Sequence, residues 1–277
     1  MTQRITAFPR RYGRYNPRML QMLKINKRKR EFQNRKSFRF DGIDDYIEMG
    51  DVLDFEITDS FSLSAWVKGT DTSDSRWFMS RSSGVGNFAG YRIYAEKAGS
   101  GKDGEAGFLL EGTTAPNRLR IRGTTKILDG NWHHVLGTYD GSNDASGMNL
   151  YVDGVLETKA IINNVPITTM SSTGGVFQLS GRDGPTFPFS QYLDEPCVWD
   201  KEMSADEAKK LYNNGVPGNP CDHPAAKAAL LAWWRMGDDR RDDATADTGN
   251  LQDQVGGFHG TPRNTTPAEI VTHVPLR

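Results

Sequence analysis

Two adjacent histidines, His133 and His134, open the segment WHHVLGTYDG at residues 132–141, and carboxylates cluster at Asp41, Asp44 and Asp45 and again at Asp194 and Glu195. Paired imidazoles can hold a metal or move protons. If the segment is extended, however, consecutive side chains point to opposite faces, so the two rings cannot readily converge on one ion. They are expected to be strand residues satisfied by hydrogen bonds. Asp41, Asp44 and Asp45 fall in the stretch FDGIDD around Gly42, and hard carboxylate oxygens with loop carbonyls suit Ca2+ far better than zinc. The same residues also suit a plain Asx turn between two strands. No G-x-S-x-G nucleophile elbow and no phosphate-cradling loop occurs in the chain, which removes two common routes to catalysis.

The elements that would carry these residues are short. From Ser37 onward, apolar or alternating segments are separated by Gly, Asp, Asn and Ser clusters, the pattern of an antiparallel all-β domain. In SFSLSAWVKG, Phe61, Leu63, Ala65 and Val67 would share one face, with Trp66 on the other. About ten such strands before residue 200 require two packed sheets or a closed barrel. In LYVDGVLE, Asp153 and Gly154 form a two-residue turn that pairs Val152 with Val155 and Tyr151 with Leu156. One helix is expected at SADEAKKLYNNG: Ser204 caps it, Glu207 completes a capping box, and Gly215 ends it.

Composition narrows the class. No apolar run approaches the roughly 18 residues of a membrane helix, and the N-terminus lacks a secretory pattern, so synthesis in a cytoplasm and no membrane partner are expected. Only Cys197 and Cys221 are present, too few for a disulfide framework, and free thiols are expected. Charge is split sharply. Residues 1–36 hold twelve Lys or Arg and one acid, a net +11, whereas the remainder carries −12, as for a basic arm on an acidic body.

The blocks FDGIDDYIEMGD, FSLSAWVK, DGNWHHVLGTYDG, LYVDGVLE and YLDEPCVWDKEMSADEAKKLYNNG, in this order, resemble the laminin-G-like or concanavalin-A-like jelly-roll family, near its pentraxin-like branch. The resemblance implies a two-sheet antiparallel jelly-roll sandwich over residues 37–215, flanked by the basic arm at 1–36 and an irregular Trp/Asp/Gly-rich extension at 216–277. It also implies that the first and last strands are neighbours, which would bring Asp194 towards Asp41, Asp44 and Asp45 as ligands of a structural Ca2+. The segment from Leu230 to Pro275 is similar to laminin-G-like proteins of bacteriophage particles, which implies a virion location. The glucanase branch carries closely spaced acids alternating along one strand, a pattern missing here. Asp194 and Glu195 are consecutive and should face apart, and Pro196 should interrupt their strand.

The expectation is therefore a non-enzymatic virion structural or adhesion protein, with no catalytic residue and no organic cofactor. The alternative is a carbohydrate-binding module for host-surface glycan, and a divergent glycanase ranks third. Sugar platforms are usually aromatic, but the six tryptophans do not separate by spacing into platform and core. In the arm, the anchors Met19, Leu20, Met22, Leu23 and Ile25 lie between the basic residues Arg10, Arg11 and Arg14 and the basic run Arg28, Lys29 and Arg30. Apolar anchors need a surface, so another virion protein or a second copy is favoured as partner over nucleic acid, which charge alone would attract.

Overall fold

The computed structural model describes residues 32–83, 88–99, 101–171 and 174–275. The arm residues proposed to bind a partner, Arg10, Arg11, Arg14, Met19, Leu20, Leu23, Arg28, Lys29 and Arg30, lie outside them. Residues 34–277 form one compact unit, and no described helix is long and apolar enough to cross a membrane.

In chain order the strands are β1 (Ser37–Asp41), β2 (Tyr46–Gly50), β3 (Phe61–Lys68), β4 (Arg76–Ser82), β5 (Gly90–Ala95), β6 (Glu105–Glu111), β7 (Arg118–Lys126) and β8 (His133–Tyr139). They continue as β9 (Met148–Val152), β10 (Val155–Leu156), β11 (Ala160–Val165), β12 (Val176–Leu179), β13 (Ser190–Trp199), β14 (Leu230–Trp233), β15 (Thr261–Arg263) and β16 (Ile270–Val271). Two antiparallel sheets result. Sheet A runs β10-β9-β8-β3-β13-β1-β16 with β14 added beside β13, and sheet B runs β11-β7-β6-β5-β4-β12-β2-β15. The first strand and the long ten-residue strand β13 are neighbours, paired Phe38 to Leu193 and Asp41 to Ser190.

The alternation read in the sequence produces this packing. Phe61, Leu63, Ala65 and Val67 are all fully buried between the sheets, where Phe61 stacks on Phe55 with centroids 4.6 Å apart. Burial of such side chains stabilises by about 1.5–3 kcal/mol each. The hairpin pairs Val155 with Val152 and Leu156 with Tyr151. Its turn residues Asp153 and Gly154 have φ of 52° and 74°, the mirror-image turn that matches strand twist. Ser204 and Glu207 form the expected capping box of the helix Ala205–Tyr212, but the helix ends at Asn213, in the left-handed region with φ 46°, two residues before the glycine. Asparagine tolerates that region almost as well.

The C-terminal segment is part of the sandwich, although the sequence suggests an extension. β14 pairs with β13, β15 with β2 and β16 with β1. Trp234, Met236, Ala244 and Leu251 enter the core, with Trp234 stacked on Phe177 at 5.7 Å. Its Asp-rich composition serves turns. Asp253 accepts backbone N–H bonds from Trp233, Val255, Gly256 and Phe258, and Asp242 accepts from Gly237 and Gln252. Replacing Trp234 with Ala should cost about 3–5 kcal/mol, the usual loss for a fully buried large aromatic. Urea denaturation would register it as a lowered midpoint, and an unchanged midpoint would show that the segment is not part of the folding unit.

Candidate functional site

Tryptophan exposure separates what sequence spacing could not. Trp66, Trp77, Trp199, Trp233 and Trp234 are each at most 8% exposed, whereas Trp132 is half-buried. It sits just before β8, after the turn at Gly130 and Asn131, and two residues from His134. The His134 ring meets Trp66 at 5.3 Å on the outer face of sheet A, so alternation directs Trp132 to the same face.

The neighbouring strands complete a row. Val67 and Leu193 lie in the core, so Lys68 and Tyr192 point outward. Tyr192 is opposite Lys68 on one side and Arg39 on the other, which sets Arg39, Tyr192 and Lys68 side by side across three strands. Trp132 lies 6.0 Å from Tyr192 between ring centroids. His273 leans over both, 5.9 Å from Trp132 and 4.6 Å from Tyr192, and Ser37 holds it there by donating to its carbonyl oxygen. Partial burial and the adjacent Lys68 ammonium keep His273 below the ordinary histidine range. Near neutral pH its ring is therefore uncharged. Trp132 Nε1 has no hydrogen-bond partner. That atom is enclosed, so what the site offers is the partly open ring surface of Trp132, Tyr192 and His273, edged by the exposed Arg39, Asp129 and Asn131.

The acidic loop lies at the same end. Asp41 is two residues beyond Arg39 on β1, opposite Ser190. One ligand oxygen from each of Asp41, Asp44 and Asp45 falls within 4.8 Å of the others. Two of these carboxylates already build the turn. Asp41 Oδ1 accepts from Ile43 N at 2.7 Å, and Asp45 Oδ2 accepts from Asp41 N at 2.9 Å. Burial, with help from the negative neighbours Asp41, Glu269 and Asp44, pushes the Asp45 carboxyl up to about 6. Asp194 does not join them. Leu193 is opposite Phe38, so Asp194 falls beside Ser37, four residues or about 13 Å along β1 from Asp41.

Asp194 and Glu195 depart from the sequence reading in another way. β13 continues through Pro196, and its register against β3 shifts between Asp194 and Cys197. Glu195 adopts φ 48° at this bulge, which cancels strict alternation. Both carboxylates are buried, and the charge of Glu195 adds to the cost of ionising Asp194. Glu195 accepts from Trp233 Nε1 and from Arg235 Nε, while Asp194 accepts from Asn34 Nδ2 at 2.7 Å. Burial is the main cause that raises Asp194 well above the usual carboxylate range, followed by the charge of Glu195.

The histidines stay apart, as expected. His133 bonds Asp153 through Nδ1 at 2.8 Å and Asp129 through Nε2 at 3.2 Å. His134 is not satisfied by its side chain: Nδ1 has no partner, and burial lowers the ring to about 4. Its backbone provides the bond instead, donating to Asp153 Oδ1. Cys197 and Cys221 are both free. Sequence reasoning missed Lys68, Tyr192 and His273. The only available signal was the position of Trp132 directly after a turn, at the start of its strand.

Burial pushes Glu195 from 4.5 up to about 7, so the folded protein binds more protons than the unfolded chain between those values. Stability should therefore fall as pH rises from about 4.5 to about 7. Melting curves of the wild type and Glu195→Gln across this window test the point: the variant should flatten the slope, and an identical slope in both would count against it.

Residues 41–209 match a laminin G family model described as the concanavalin A-like lectin/glucanases superfamily. No curated protein matches the chain. A crystal structure of a proposed carbohydrate-binding protein from Bacteroides ovatus is similar at 20% identity and TM-score 0.59, covering 89% of this chain and 62% of that one. The chain thus spans less than two thirds of that protein. Looser overlays, both at TM-score 0.47, are a heptameric SAP-like pentraxin from Limulus polyphemus (15% identity; 65% of this chain, 82% of that) and the CBM40 of a Ruminococcus gnavus IT-sialidase (14%; 64% and 97%).

Proposed function

Because the chain belongs to the concanavalin A-like lectin/glucanases superfamily, we propose that it is a carbohydrate-binding module whose platform is Trp132 with Tyr192 and His273. The observation that carries this reading is that Trp132 alone of the six tryptophans is only half-buried, the other five being buried. An aromatic face offers the apolar side of a sugar ring a large contact area. Arg39, Lys68, Asp129 and Asn131 around it supply further polar partners. Binding without cleavage fits the burial of Asp194 and Glu195, since glycoside cleavage needs two carboxylates that reach the bond.

The phage-particle role expected from the sequence rested on the arm and the C-terminal segment. The arm lies outside the described residues, and the segment packs inside the sandwich, so the reading here rests on the aromatic platform instead. A screen against an array of oligosaccharides, followed by calorimetry on hits, tests the glycan reading. Trp132→Ala should weaken binding by on the order of tenfold or more with an unchanged melting temperature. Wild-type protein that binds no glycan, or a variant that binds as tightly, would overturn it.

Calcium belongs to the proposal through Asp41, Asp44 and Asp45 only, with Asp194 left out. The oxygens of Asp44 and the second oxygens of Asp41 and Asp45 would face the ion, which would offset the crowding of negative charge that raises Asp45. An ion bound only by the folded state raises the melting temperature. Millimolar Ca2+ should therefore raise it in the wild type and not in Asp44→Asn, whose exposed side chain does not build the turn. No rise in either protein would end the calcium proposal.

A further inference from the structure

The outer face of sheet B holds a separate cluster. Ile93, Leu110 and Leu119 point into the core, so Arg92, Glu111 and Arg118 on β5, β6 and β7 face outward. Arg92 Nη2 and Arg118 Nη2 both reach the Glu111 carboxylate, the latter at 2.8 Å. A third guanidinium stands close by. Arg92 and Arg182 lie over the same Trp77 ring, 4.2 and 4.8 Å from its centroid. Arg182 is caged further by Phe88 at 3.4 Å and Phe187 at 5.1 Å. Burial and the charge of Arg92 together lower Arg182 below the ordinary arginine range.

Three guanidiniums thus share Glu111 and the nearby Asp183, and the pairing is incomplete. Arg92 is 6% exposed, yet its Nη1 has no acceptor; neither has Nε of Arg118 nor Nε of Arg182. A buried guanidinium N–H without an acceptor is costly. The Oδ2 of Asp183 is likewise buried without a donor. Three guanidiniums against two carboxylates leave this face with a net positive charge, and Arg118, Arg182 and Asp183 are only partly buried, which suits a ligand that carries both an acid group and hydroxyls. The cage fixes Arg182 before any ligand arrives, which reduces the ordering cost of binding.

We propose that Arg92, Arg118 and Arg182 form an anion subsite that takes the carboxylate of an acidic sugar, while Asp183 accepts from a hydroxyl of the same ligand. The planar two-oxygen acid matches the guanidinium fork. The sugar part rests on the lectin-like reading above, whereas the anion subsite stands on its own geometry. A nucleic acid fits less well. Single strands rely on open aromatic faces for stacking, and Trp77 is already stacked on Phe187 at 5.0 Å and covered by guanidiniums. The unit 34–277 also carries a net negative charge by sequence.

Calorimetry at low salt would compare a glucuronate-terminated oligosaccharide, its neutral glucose-terminated counterpart, sodium acetate and single-stranded DNA. The acidic oligosaccharide should bind roughly tenfold or more tighter than the neutral one, as charge-assisted bonds imply. That preference should disappear in Arg182→Gln and persist in Trp132→Ala. Arg118→Gln, at a more exposed position, serves as the second variant if the first fails to fold. Equal affinity for acidic and neutral oligosaccharides, or a preference retained by the folded arginine variants, overturns the subsite. Acetate binding as tightly as the acidic sugar, or DNA binding more tightly than it, overturns the sugar assignment. Neutral glycan binding that depends on Trp132 without any acid preference would sink this inference and leave the lectin-like reading standing.

Discussion

β13 has β3 along one side and, along the other, β1 for its first half and β14 for its second. The handover falls at the bulge formed by Glu195 and Pro196. The extra residue there swings Glu195 round to receive Trp233 and Arg235, and Trp234 N donates to the carbonyl of Pro196. This anchoring delivers Trp234 into the core and lets the chain continue to β15 and β16. β1 covers only Ser190–Leu193, which leaves the edge of β13 from Cys197 to Trp199 for β14. The cost is two carboxylates buried together, which is tolerated because each receives charge-assisted or amide hydrogen bonds.

The same continuation shapes the candidate platform. β16 pairs with β1 beside Ser37, and the next few residues place His273 over Trp132 and Tyr192. A fixed aromatic surface therefore depends on a segment more than a hundred residues away in sequence from Trp132. Rigid placement matters for recognition because ordering a mobile side chain would subtract from affinity. The outer face of sheet B follows a different logic, with arginines laid flat over carboxylates and aromatic rings.

Much of the fold was legible. The alternating run from Phe61 to Val67, the Asp153–Gly154 turn and the Ser204 capping box each carry a local rule whose outcome the packing does not reverse. The missed parts break such rules. β11 reads AIINNV because it is an edge strand, with Ile161, Ile162 and Val165 exposed, so no inward–outward alternation marks it. β14, β15 and β16 are two to four residues long, too short for a periodic signal, and their spacers hold aspartates that resemble ion ligands while building turns. Asp194 and Glu195 were assigned to opposite faces because nothing local announces a bulge. The exposure of Trp132 was hidden for a related reason: it depends on where the strand stops relative to the core, a property of the assembled sheet.

A lectin-like role at the platform requires Trp132 to meet the ligand. The six indole N–H resonances in a proton–nitrogen correlation spectrum report the six tryptophans separately, and Trp132→Phe would assign the relevant one by its disappearance. On titration with a glycan that binds, the Trp132 resonance should move first and furthest, because its ring alone of the six is partly exposed at the platform, while those of the core residues Trp199 and Trp234 stay in place. A saturating titration that leaves the Trp132 resonance unmoved would contradict the account.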